Sequence, residues 1–182
     1  LELYDQPKKV GPYLRYARVC LAEIPMVVEG RITFPNGMSV NAKSSRMQLL
    51  WLRKELICKF CGISAGFGAI EAHPDTPDAL HLNFYCYDFE GREVMLTRDH
   101  IEPKSLGGNN QQKNQQCLCS VCNGLKGNDK SQSEVTKLRR QKGLPLYYTY
   151  FADGSVKYKW AAHQFSSTLK GEAQSTKSGC IN

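Results

Sequence analysis

The sequence predicts an α+β domain in which β-hairpins and short helices surround one small metal-held unit. Three observations predict it. Turn signals at Pro35-Asn36-Gly37, Phe89-Glu90-Gly91 and Asp153-Gly154 each separate two strand-like runs, giving three hairpins. Helical spacing is confined to short stretches between them. Two C-x-x-C pairs, Cys58 with Cys61 and Cys119 with Cys122, have the ligand spacing of tetrahedral zinc.

Composition narrows the function classes. A chain of 182 residues with 41% hydrophobic content can bury a modest core. It has no run of 18 apolar residues, so no membrane span is expected. No charged, apolar and small-residue leader is recognisable, and the ending Gly-Cys-Ile-Asn does not form a prenylation signal. Twenty-four basic residues against 17 acidic ones leave a net charge of +7, a surplus that suits a polyanionic partner. Eight cysteines are too few for a disulfide scaffold, and their pairing favours metal and a reducing compartment.

Taken in order, residues 1–23 contain PYLRYARVCLAEI, mildly amphipathic and read as helix. The first hairpin follows, and then Ser44 or Ser45 caps a helix running to about Leu56, with Met47, Leu50 and Trp51 on its apolar side. CKFCG, residues 58–62, reads as a zinc knuckle. ALHLNFYCYD and REVMLTR make the second hairpin. DKSQSEVTKLRRQKG suits a helix with a basic end, the third hairpin comes next, and the last dozen residues are polar. The chain therefore divides into an N-terminal hairpin and helix extension (1–55), a zinc-bearing core (56–130), a basic helix with a C-terminal hairpin (131–170) and a disordered tail (171–182).

Cys58, Cys61, Cys119 and Cys122 together make a closed four-thiolate site. Its zinc is structural, because no position is left for water. Cys20, Cys86, Cys117 and Cys180 read as buried or free thiols, Cys117 being the one rival ligand. Zinc leaves Asp99, His100 and Asn123 unexplained. If a strand ending at Asp99 bends at His100, and a helix begins near Cys122, Asp99 and Asn123 face each other across a hairpin. Their oxygens are hard ligands suited to magnesium or manganese. His100 then points to the other side of a scissile phosphate and takes a proton from water.

DHIEPKSLGG, NQQCLCSVCN and KGN resemble the HNH endonuclease family, in its four-cysteine, zinc-bearing branch of phage and homing endonucleases. The resemblance covers about residues 56–130. It implies a ββα-metal fold with one catalytic divalent ion. Asp99 matches the metal-binding aspartate, His100 the general base and Asn114 the middle asparagine that braces the loop. Asn123 matches the last letter of the motif and the second metal ligand. Gly107 and Gly108 match the glycines of an omega loop, and Lys126 a lysine near the phosphate backbone. The resulting expectation is a metal-dependent endonuclease acting on double-stranded DNA, with Lys126, Lys137, Arg139 and Arg140 on phosphates. The other reading is a catalytically silent HNH-fold subunit that binds nucleic acid or serves assembly, as in an organellar ribosome or polymerase complex. Protein partners or an oligomer stay open.

Overall fold

The computed structural model describes residues 1–160, so the tail expected at 171–182 lies outside the described residues. β1 (Glu2–Val10) and β2 (Tyr13–Cys20) form a hairpin where the sequence reading expected a helix. The physical reason is Arg15. Counted as a polar surface residue, it makes the segment look helical, yet it is buried on Glu71, and a β-bulge between Arg15 and Ala17 turns it to the face opposite Ala17 and Val19, which breaks the alternation a strand would show. Cys20, expected as a thiol, is disulfide-bonded.

The other hairpins lie where their turns place them. β3 (Arg31–Thr33) and β4 (Ser39–Asn41) turn through Gly37 at φ 85°. β6 (His81–Tyr87) and β7 (Glu93–His100) turn through Gly91 at φ 76°, and β9 (Tyr147–Tyr150) and β10 (Val156–Lys159) through Gly154 at φ 80°. Left-handed backbone is cheap only for glycine, which is why these turns are readable locally. β5 (Phe67–Ala72) was not anticipated, because all six of its residues are buried and no alternation marks it. With β8 (Gln115–Cys119) the sheet is antiparallel, in the order β1-β2-β5-β6-β7-β8.

Three short α-helices, with a few single 3-10 turns, complete the described chain. α1 (Ser45–Met47) is capped by Ser44, whose Oγ accepts from Met47 N at 3.3 Å, and it widens into a π turn over Gln48–Leu52. It stops before the expected Leu56. The wide turn lets the neighbours Leu49 and Leu50 both be buried, and Trp51 stacks on Phe84 at 5.7 Å. α2 (Ser120–Lys126) follows β8 directly, and α3 (Gln132–Gln141) starts with a capping box between Ser131 and Glu134. β7, β8 and α2 together form the expected ββα unit.

Ala17, Val19, Ile70, Leu82, Phe84, Val94 and Leu96 belong to the main core. On the opposite side of β2, β5 and β6 lies a charged network. Glu71, with 0% exposure, accepts from Arg15 Nε at 2.7 Å, Asn83 Nδ2 at 2.5 Å and Tyr85 Oη at 2.9 Å. Burial, and then the Glu71 charge, pushes the Tyr85 hydroxyl up, so it stays a donor. Removing one member of a buried pair strands the other. Arg15→Met is expected to destabilise the fold by about 3–5 kcal/mol in urea unfolding, and Arg15→Met with Glu71→Leu by clearly less.

Candidate functional site

The four cysteines converge. Cys58 and Cys61 sit in a tight turn closed by Gly62 N to Cys58 O at 2.9 Å. Gly62 has φ 75°, and a Cβ there would meet Tyr148 O at 2.7 Å, so only glycine fits. Cys119 is the N-cap of α2 and its Sγ accepts from Cys122 N at 3.4 Å. All four ligand atoms lie within 4.8 Å of one another, with Cys61 Sγ and Cys119 Sγ 3.8 Å apart. A tetrahedron with metal–sulfur bonds of about 2.3 Å has edges of about 3.8 Å. The cluster is thus compatible with zinc. Cys117 and Cys86 are buried outside it, and burial pushes both thiols up.

Arg139 departs from its expected role. It is 3% exposed, donating from Nε to Pro145 O at 2.8 Å and from Nη1 to Cys122 Sγ at 3.3 Å. Its charge faces sulfur and not solvent phosphate, because α3 turns Val135 and Arg139, four residues apart, inward together. Lys137 and Arg140 are on the exposed side of α3.

The second constellation stands at the end of β7. Across β7 and β8, Asp99 pairs with Gln116 and His100 with Gln115. Successive strand residues point to opposite faces, so Thr97 and Asp99 share one face and His100 takes the other. α2 addresses the first face with Asn123 and Lys126. Asn123 Nδ2 donates to Thr97 Oγ1 at 3.1 Å, and Lys126 Nζ donates to Asp99 Oδ1 at 3.2 Å and to His100 O at 2.9 Å. Gln116 Nε2 donates to Asp99 Oδ2 at 2.8 Å. Asp99 and Asn123 therefore line one face, two strand residues apart, each holding its own partner and not the other. Lys126, expected at the phosphate backbone, is only 4% exposed, its ammonium drawn inward by two acceptors.

These residues suit a hard divalent ion. Asn123 uses its nitrogen on Thr97, and its oxygen carries no hydrogen bond among the described residues. Asp99 already holds a cation, the Lys126 ammonium. Carboxylate and amide oxygens are the donors that magnesium and manganese prefer.

The amide-rich loop between β7 and β8 explains its own composition. Asn114 Oδ1 accepts from Glu102 N at 2.8 Å, while its Nδ2 donates to Glu102 O at 3.0 Å and Asn109 O at 2.9 Å. Gly107 has φ 96°, and a Cβ on Gly108 would meet Glu102 O at 1.8 Å. Asn110 Oδ1 lies 3.0 Å from His100 Nε2, and Gln115 Nε2 donates to Asn110 O at 2.7 Å. With Asn110 as acceptor, Nε2 carries the proton and Nδ1 the lone pair. Asn110, Gln116 and Thr97 were missed from sequence. The run GGNNQQKNQQ was the available signal, a density of amides from which Asn109, Asn110, Asn114, Gln115 and Gln116 are used to hold backbone, ring or carboxylate atoms.

Residues 84–129 match the family model of the HNH endonuclease. The match spans the ββα unit with its loop, together with Cys119 and Cys122. No curated protein and no solved structure matches the chain. The class that this unit defines is nuclease-type, with nucleic acid in general as its substrate.

Zinc titration checks the cluster. Reduced protein is expected to take up one zinc per chain. Cys119→Ser should lose it together with the native circular dichroism, since metal binding at such a site is folding free energy. Arg139→Met should keep the four ligands yet lower zinc affinity by about 10- to 100-fold in a chelator competition, the usual cost of losing a partner of a ligand.

Proposed function

We propose that the protein is a metal-dependent endonuclease that hydrolyses phosphodiester bonds of double-stranded DNA. The observation that carries this reading is the division of tasks at the end of β7. Asp99 lies beside the α2 residues Asn123 and Lys126, while His100 faces away with one ring nitrogen held by Asn110. The HNH match over the same residues supports it.

In this reading Asp99 and Asn123 hold magnesium or manganese, which supplies Lewis-acid stabilisation of charge on the phosphate and leaving oxygen. His100 takes the proton of the attacking water at Nδ1 and keeps its Nε2–H donated to Asn110. Asn114 ties Glu102 to Asn109, so Asn110 stays fixed relative to the ring, and fixed geometry is worth rate. The four cysteines hold zinc in a structural role. Lys137 and Arg140 supply contacts to phosphates. Six free cysteines among the described residues support a reducing compartment, and the Cys20 disulfide stands against it.

One observation favours the second reading, a nucleic-acid-binding subunit without catalysis: Asp99 is already neutralised by Lys126. A nicking assay on supercoiled DNA with the zinc-loaded chain and saturating magnesium separates the two. Magnesium-dependent nicking is expected, and its absence would sink the endonuclease reading. His100→Ala should keep zinc, fold and DNA affinity while cleavage falls by about 10²- to 10⁴-fold, the usual contribution of a positioned general base. Cleavage at the wild-type rate would remove His100 from the mechanism.

A further inference from the structure

Lys126 is a long side chain at the last residue of a seven-residue helix, next to the exposed Gly127, Asn128 and Asp129. A lysine there ordinarily leaves its ammonium in water. Instead it is 4% exposed, with Nζ held 3.2 Å from Asp99 Oδ1 and 2.9 Å from His100 O. Burying an ammonium is costly unless it is paired, and Asp99, itself 8% exposed, is the pair. Gln116 takes the other carboxylate oxygen. The Asp99 charge is therefore matched before any metal arrives.

We propose that Lys126 is a built-in competitor for the divalent ion at Asp99, so that the ion enters only by displacing the resident ammonium. This rests on the reading of Asp99 as a metal ligand. An ion bound through Asp99 Oδ1 would stand against an ammonium held 3.2 Å from the same oxygen. Like charges at such a distance, in a site shielded from water, repel too strongly to share one carboxylate. The displaced side chain has somewhere to go. Gly127, at φ 58°, ends the helix, and it and the following Asn128 and Asp129 are exposed, so a displaced ammonium can reach water. Lys126 thereby sets the metal concentration at which the site fills.

Isothermal titration of the zinc-loaded full chain with manganese alone tests this. Lys126→Met is expected to bind manganese about tenfold or more tightly than wild type. Lys126→Arg should bind as wild type does, and adding Asp99→Asn to Lys126→Met should abolish the gain. Unchanged or weaker binding by Lys126→Met, with zinc content and circular dichroism intact, overturns the proposal. Should that variant fail to fold, the wild type decides. Acetylation of Lys126, followed by mass spectrometry, is expected to speed up several-fold when manganese saturates the protein, and an unchanged rate overturns the proposal. No manganese binding by either protein would remove the metal reading of Asp99 along with it. No DNA enters these measurements. Tighter binding by Lys126→Met beside a wild type that never nicks DNA would retire the endonuclease and leave the competitor standing.

Discussion

Convergence of four sulfurs from two distant segments is the constraint on which the rest of the site depends. Cys58 and Cys61 sit before β5, whereas Cys119 ends β8 and Cys122 lies in α2, so one cluster closes a loop around the central strands. α2 could not stand alone. Seven residues that include Ser120, Asn123 and Gly124 are too few and too poor in helix formers to persist in water. Its first turn is instead held by Cys119 and Cys122, and its last by Lys126 on Asp99. The C-terminal segment leans on the same point. Tyr148 N donates to Cys61 O at 2.8 Å, Gln132 reaches Lys59 O and Phe60 O, and Arg139 donates to Cys122 Sγ. The cluster thus sets the position of the helix that addresses Asp99 and anchors α3 and β9 around it.

From that anchored helix to the chemistry there is a second, polar layer. Three amides of the loop and of β8 each hold a particular group: Asn114 the Glu102 backbone, Asn110 the His100 ring, Gln116 the Asp99 carboxylate. Most of these groups are half-exposed or exposed, where a single hydrogen bond contributes only about 1 kcal/mol. Their joint effect is geometric. A loop closed at Glu102, Asn109 and Asn114 has few ways to move a histidine ring, and the close approach of Gly108 to Glu102 removes more of them. The loop's sequence is polar because its task is to hold polar atoms in place.

Local signals were legible in the sequence and tertiary ones were not. Glycines at positive φ gave away three hairpins, and cysteine spacing gave away the four-cysteine cluster, because each turn and each C-x-x-C pair depends on a few adjacent residues. The expectation placed on Asp99, His100, Asn114 and Asn123 rested on a similar signal, a motif with fixed spacing. β1, β2 and β5 were not legible, since Arg15 and Glu71 look like surface residues until they are seen to pair across two strands. Lys126 and Arg139 misled in the same way. Both stand in basic, polar contexts, and nothing in their neighbours along the chain reveals that one faces a carboxylate and the other a thiolate.

Those buried cations change what the net charge means. Arg15 is matched by Glu71 and Glu93, Lys126 by Asp99 and Arg139 by the cysteine cluster, so none of the three presents its charge to a partner. Four thiolates around a divalent zinc would add two negative charges, bringing the formal +7 down to about +5. The surplus left for a polyanion is then carried by exposed residues such as Lys104, Lys113 and Lys137. Lys104 and Lys113 belong to the loop that holds His100, and Lys137 to the helix that Arg139 ties to the cluster. Positive charge is therefore displayed on the two elements whose positions the cysteine cluster and the amides fix, so electrostatic attraction and the geometry around Asp99 and His100 depend on the same framework.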